Sequence, residues 1–355
     1  MKHISVFTRI LALTLLLLLT FSLAACRSGG NDNESSAEST DPVGDVTTGS
    51  DTVDASLPVK VTVLNGTTGF GMAKLMKDKA DGNAALNYTF DVQADAQNVL
   101  KALINGSTDI AALPTNAAAT VYNKTNGAVQ VLALNTLGVL YVVANGESEA
   151  ITDFESLRGK TVYCPANNPA FIFSAICEAN GLKVGTDITV DTSYAEPAAV
   201  RGALVSGQID LAVLPEPMVT IARKANNKLV TALDLTAEWD KKFDEGSLVQ
   251  GCVVVRTAFA EAHPAEIAKF LTEYEASITY MQENVADAAE IIVAQGVFAG
   301  AAPIAAAAIP NCNVTFVTGA DMKAALKVFL DTLYAINPTA VGGAVPADNF
   351  YYGVK

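Results

Sequence analysis

Hydrophobic and polar positions divide this 355-residue chain into three stretches of different character. The first is a basic start at Lys2 and Arg9, an apolar run from Ile10 to Leu23, and then Leu23-Ala24-Ala25-Cys26. The run is shorter than the ~20 residues a spanning helix needs and closes on small residues, the pattern of a cleaved secretion signal ending in a lipobox. Cys26 is then expected to become the lipid-bearing first residue; an uncleaved anchor is the competing reading, and both place the remainder outside the cytoplasm at the cell membrane. The second stretch, Arg27 to Leu57, is dominated by Ser, Thr, Gly, Asn and Asp and holds no aromatic residue. Such a segment cannot bury enough apolar surface to fold, so it reads as a lipidated flexible tether reaching on the order of 30 Å.

From Pro58 onward the pattern alternates between two periods. β-Branched runs such as Val59 to Leu64 and Ile188 to Tyr194 predict strands, and Val99, Leu100, Leu103 and Ile104 fall at helical offsets. A phrase then recurs. Val99-Leu100-Lys101-Ala102-Leu103, Gly106 and Asp109-Ile110-Ala111-Ala112-Leu113-Pro114 match Val200-Arg201-Gly202-Ala203-Leu204, Gly207 and Asp210-Leu211-Ala212-Val213-Leu214-Pro215 at one constant offset. The copies begin at Val59-Lys60-Val61-Thr62-Val63 and Gly159-Lys160-Thr161-Val162-Tyr163. Each half reads strand, helix, strand, helix, strand, which predicts an α/β fold of mainly parallel sheets flanked by helices. Later helices are expected from Pro264 to about Asn284, with Ile267, Phe270, Leu271, Tyr274 and Ile278 on one face, and over Val285 to Gln295 and Ala320 to Ile336. The expected division is a first lobe over 58–148, a second over 149–250 and completion of the first over 251–355. The chain leaves the first lobe near Asn145 to Asp153 and hinges near Asn145 and Gln250-Gly251.

Composition narrows the chemistry. Against 37 acidic residues, the 23 basic ones less Lys2 and Arg9 leave the exported chain at about −16, with no basic stripe for nucleic acid; acidity spread in this way suits solubility outside the cell. Cys164, Cys177, Cys252 and Cys312 could pair in three ways that the sequence leaves open, and their spacing does not suit zinc. Only His3 and His263 offer imidazole. His263, before Pro264, reads as a helix start. Neither a metal nor another cofactor is expected.

Ligands of open parallel sheets bind beyond the carboxyl ends of the strands, where turns lead into helix N-termini. Such turns are Asn65-Gly66-Thr67-Thr68-Gly69-Phe70, Pro114-Thr115-Asn116, Pro165-Ala166-Asn167-Asn168-Pro169-Ala170-Phe171 and Pro215-Glu216-Pro217. Their glycines and prolines allow close approach, and their free N–H groups can hold an anion without lysine or arginine. As plain caps, Thr68, Thr115 and Asn168 would do no more than end helices. Glu216 could meet a ligand amine or ring N–H, or serve only as a helix-start charge. Phe70, Phe171, Tyr194 and Trp239 could stack on a ligand or fill the core. Asp109 and Asp210 stand at the opposite, amino ends of their strands and read as structural.

The lipobox, the Gly-rich turn, the repeated phrase, Ser156-Leu157-Arg158-Gly159-Lys160-Thr161-Val162, Glu216-Pro217 and His263-Pro264-Ala265-Glu266 together resemble the nitrate/taurine/sulfonate and thiamine-precursor group of ABC-transporter substrate-binding proteins. The resemblance runs from about Pro58 to Tyr352. It implies the type II periplasmic-binding-protein fold, two lobes on a two-stranded hinge. It also implies a monomeric binding protein, not an enzyme, that delivers a sulfonate, nitrate, taurine or pyrimidine-like ligand to an ABC permease and ATPase. The competing functions are an enzyme on the same fold acting on a thiamine-like pyrimidine, with Glu216 or Cys164 as its reactive group, and a ligand-sensing lipoprotein. The pyrimidine synthases of this fold carry a cysteine-rich motif that this chain lacks.

Overall fold

The computed structural model describes residues 52–146 and 151–354; the signal, Cys26 and the tether as far as residue 51 lie outside the described residues. The first half of the repeat forms β1 (Pro58–Leu64), α1 (Thr67–Phe70), α2 (Ala73–Ala80), β2 (Asn87–Gln93), α3 (Ala96–Asn105), β3 (Ile110–Pro114), α4 (Thr115–Lys124) and β4 (Val129–Thr136). Its second half forms β5 (Leu140–Asn145), β6 (Thr161–Tyr163), α5 (Asn168–Ala179), β7 (Thr189–Asp191), α6 (Pro197–Val205), β8 (Leu211–Pro215), α7 (Met218–Ala225), β9 (Leu229–Asp234) and α8 (Leu235–Asp240). The chain ends with β10 (Gly251–Arg256), α9 (Thr257–Ala262), α10 (Pro264–Glu283), α11 (Val285–Ala294), α12 (Ala302–Ala308), β11 (Val314–Val317) and α13 (Gly319–Ile336).

Two mixed sheets result, β11-β4-β10-β3-β1-β2 and β7-β6-β8-β5-β9. The repeat is visible in their registers. β3 pairs antiparallel with β10 through Leu113 and Cys252, and β8 pairs antiparallel with β5 through Leu214 and Tyr141. β5 and β10 run against their neighbours because each enters its sheet from the end where the chain crosses over. That crossing also corrects one expectation. β5 belongs to the second sheet, so the first crossing is Leu137–Val139, directly after β4, and not the stretch near Asn145.

Matching residues do matching work in the two halves. Gly106 caps α3 and Gly207 follows the Ser206 that ends α6, both at φ 73°, in the left-handed region that favours glycine. Asp109 accepts from the Lys60 N–H at 3.0 Å and from Arg256 at 2.9 Å, and Asp210 accepts from the Asn145 amide at 3.2 Å. These are strand-end contacts on the side away from the crossings.

Long apolar stripes bury the helices. Ile267, Phe270, Tyr274 and Ile278 of α10 are buried on one face of the first sheet, with α11 and α12 beside them. α13 covers the other face and carries Phe329 and Leu330 into a cluster that also holds Phe173 of α5 and Trp239 of α8. That cluster therefore joins both lobes. Trp239 is fully buried, donates to the Ser247 hydroxyl at 2.8 Å and packs on Phe243 and Phe329, so it is a core residue. Among the described residues no helix is long and apolar enough to cross a membrane.

Candidate functional site

The two crossings lie side by side and are laced together. The Gln250 N–H donates to the Thr136 carbonyl at 2.9 Å, and its side-chain oxygen accepts from the Val139 N–H at 2.7 Å. Thr115 is fully buried and its hydroxyl donates to the Val249 carbonyl at 2.7 Å, while the Glu216 N–H donates to Val139 at 2.9 Å. Thr115 thus serves the crossing. Gly138 is needed there for space: a Cβ would stand 2.1 Å from the Thr236 hydroxyl and 2.7 Å from Leu248.

Beside the crossings a cavity of about 870 Å³ opens between the lobes, within the size range of small-molecule sites. Four helix starts border it. The first lobe contributes Asp95 to Gln97 of α3 and Pro114 to Ala117 of α4; the second contributes Asn167 to Phe171 of α5 and Glu196-Pro197 of α6. Each of these helices spans at least two turns, so each brings unpaired N–H groups and the positive end of its dipole. Only α3 has a side-chain cap, Asp95 accepting from the Gln97 N–H at 2.8 Å. α4, α5 and α6 have none.

The start of α5 has further signs of a ligand site. Asn167 holds φ 64°, ψ −125°, a conformation that asparagine tolerates better than most residues and that concentrates at functional sites. Asn168 is only 9 % exposed, and its side-chain oxygen is buried without a hydrogen-bond partner. An unpaired buried acceptor costs about 1–3 kcal/mol, a cost relieved by any donor brought to it. Phe171, Leu64 and Leu100 add apolar wall, and Lys124 stands at the far end of the α4 face.

Of the turns singled out in the sequence, Asn65, Pro114 and Asn116 line this cavity from the first lobe, and Asn167, Asn168, Pro169 and Phe171 line it from the second. Gly66, Thr67, Thr68, Gly69 and Phe70 do not. Phe70 is fully buried against Phe298, the Gly66 N–H is bound to the Val297 carbonyl at 3.0 Å, and a Cβ on Gly69 would meet the Leu64 carbonyl at 2.3 Å. Thr68 instead presents its carbonyl to the Asn135 amide at 2.9 Å. Tyr194 packs its ring on Tyr163 within the second lobe. Glu216 is buried, its carboxylate accepting from the Thr220 N–H at 3.1 Å and hydroxyl at 3.0 Å; burial raises its pKa against the opposing pull of these bonds. Cys164 is fully buried and desolvation pushes its thiol well up, which disfavours the thiolate a nucleophile needs. The starts of α3 and α6 were not singled out, although Asp95 before a helical pattern and Pro197 at a first turn are both start signals.

A sequence model of the family described as NMT1/THI5 like matches residues 82–288. The chain belongs to the NMT1/THI5-like family. Comparison with the curated proteins finds no match. Solved structures similar to this NMT1/THI5-like chain include an ABC transporter protein from Parabacteroides distasonis, at TM-score 0.68 and 21% identity over 84% of this chain and 99% of that one. Another is the periplasmic aliphatic sulphonate binding protein of Escherichia coli, at TM-score 0.65 and 14% identity over 83% and 92%. A Candida albicans protein described as having the generic periplasmic binding protein structural fold matches at TM-score 0.53 and 13% identity over 83% and 93%. With two mixed sheets, each holding a reversed strand at a shared crossing, the chain has the type II periplasmic-binding-protein fold.

Proposed function

We propose that the chain is the extracytoplasmic binding component of an ABC importer, a lipoprotein anchored at Cys26 that holds a small molecule with an anionic group in the interlobe cavity and presents it to a permease. The observation that carries this reading is the meeting of four helix starts, two from each lobe, around one cavity. Such starts bind carboxylate, sulfonate or phosphate groups through N–H donors and dipoles without a paired cation. Membership of the NMT1/THI5-like family and the likeness to a sulphonate binding protein support the same class. The apolar wall at Phe171 and Leu100 leaves room for an aliphatic or flat organic part, so sulfonates and pyrimidine-like anions both fit the reading. In this arrangement the N–H groups fix the anion, the Asn168 oxygen accepts a ligand donor, and closure of the lobes excludes water and strengthens each contact. The lobes so joined are 58–136 with 251–354, and 140–146 with 151–246, with 137–139 and 247–250 as the hinge.

The test is a thermal-shift screen of the full chain against alkanesulfonates, taurine, nitrate, hydroxymethylpyrimidine, thiamine and amino acids, followed by calorimetry on the compound that shifts melting. Ligand at a hundredfold excess over its Kd adds about 2.7 kcal/mol of stability. Asn168→Ala is expected to weaken that compound's binding about tenfold, the equivalent of one hydrogen bond, while the ligand-free protein melts no lower than the parent. Unchanged affinity in Asn168→Ala and in Asn116→Ala would remove the cavity from consideration. Turnover of the recovered compound would overturn the binding-protein reading.

A further inference from the structure

We propose that residues 302–313 of the first lobe are a clasp that grips the second lobe and sets how far the cleft opens, with Tyr141 and Lys224 as the residues it holds. The segment has no counterpart in the repeat, because the second lobe ends its sheet at β9 and goes directly to α8. Along its length it meets the second lobe and the crossing in turn. At its start the Pro303 carbonyl accepts from Lys224 of α7 at 3.4 Å, and Ile221 of the same helix packs against the apolar cluster of the first lobe. Further on, the Asn311 carbonyl accepts from the Tyr141 hydroxyl of β5 at 3.2 Å. At the end, Asn313 donates its amide to the Gly138 carbonyl at 2.5 Å and accepts the Leu137 N–H at 3.0 Å, so the clasp is tied to the first crossing as well.

The Glu216 carboxylate is buried, is held by Thr220 within the second lobe, and does not line the cavity at the four helix starts. The loop that leads into the clasp is tied to the first lobe, because Val297 accepts the Gly66 N–H and Phe298 packs on Phe70. The clasp is therefore anchored at its root and meets the second lobe at Pro303 and Asn311. Opening the cleft on this side has to break the contacts at Tyr141 and Lys224, whereas the side bordered by α3, α4, α5 and α6 stays accessible to a ligand.

The experiment is pulsed electron-spin distance measurement on the full chain in detergent, without ligand, between labels at Ile104→Cys in the first lobe and Val230→Cys in the second. Both sites are exposed, 54 % and 44 %, and the free cysteines among the described residues, Cys164, Cys177, Cys252 and Cys312, are buried. Tyr141→Phe removes the donor of the Asn311 carbonyl contact and is expected to raise a minor long-distance population about tenfold, the effect of losing one hydrogen-bonded contact between two states. Lys224→Met is expected to act in the same direction. Tyr141→Phe and Lys224→Met distance distributions both identical to the parent's, with Trp239 fluorescence showing a folded protein, overturn the clasp. Because the distances are read without ligand, failure of the clasp leaves the binding function standing, and a silent ligand screen leaves the clasp standing.

Discussion

Gly138 gives the sharpest test of how the crossings are built. Its backbone is not in the left-handed region, so alanine meets no dihedral penalty, and the conflict is steric alone. The added Cβ would lie 2.1 Å from the Thr236 hydroxyl, 3.0 Å from the Thr236 Cβ and 2.7 Å from a Leu248 methyl. Leu248 can turn aside, but a β-branched threonine in the first turn of α8 has little rotamer freedom. Overpacking of this kind costs about 1–3 kcal/mol, partly offset by the ~0.4–1 kcal/mol that alanine takes from the unfolded chain's freedom. The net expectation for Gly138→Ala is a loss of about 1–2 kcal/mol. Thr236→Ala should behave in the opposite sense. Its hydroxyl is buried without a partner, and removing an unsatisfied group returns about 1–3 kcal/mol against the loss of one packed methyl. In the double variant the clash is relieved, so the two changes should couple by about 1–2 kcal/mol in the favourable direction. Urea titrations read by fluorescence of Trp239, the sole tryptophan, report at the site itself, because Trp239 bonds Ser247 at the second crossing. A cost for Gly138→Ala that is the same with and without Thr236→Ala would refute the contact geometry given for the crossing.

Other expectations follow from the same structure. Gly106→Ala and Gly207→Ala place an L-residue at φ 73° and should each cost about 1–2 kcal/mol; urea midpoints that differ widely between them would break the equivalence of the two halves. Glu216 has a raised pKa, so its ionised form is penalised in the folded chain. That penalty is present above the folded pKa and fades as pH falls towards 4.5, the ordinary value. The parent should therefore gain stability relative to Glu216→Gln as pH is lowered from 7 towards that value, in a site where Tyr141, Cys312 and Arg223 are the neighbouring titratable groups. A relative loss on acidification, measured by urea unfolding at both pH values, would contradict the burial of Glu216.

The two-lobed α/β fold was legible in the chain because its signals are local and occur twice. A strand of five apolar residues, a helix closed by glycine and a proline at the strand end recur with one spacing, and each carries its meaning without knowledge of the other half. Pro264 and the apolar stripe of α10 gave that helix to within a residue at its start. The crossing was misplaced because Leu140–Asn145 has the pattern of any buried strand; which sheet it joins depends on the partner that lies beside it, β8 or β10, and pairing is a long-range choice.

For the site, the sequence determined which turns offer helix starts and small or polar residues, and the asparagines of α5 stand out on those grounds alone. Only the tertiary structure decided that the starts of α3 and α6 join those of α4 and α5 around one cavity, while the Gly66–Phe70 turn and Glu216 face other elements. The physical reason is that a cap is defined by three or four consecutive residues, whereas a cleft is defined by two lobes whose relative placement is set at Gln250, Thr136 and Val139. The residues 302–313 show the same limit from the other direction, since a short alanine-rich helix has no distinctive pattern until it is found against α7 and β5.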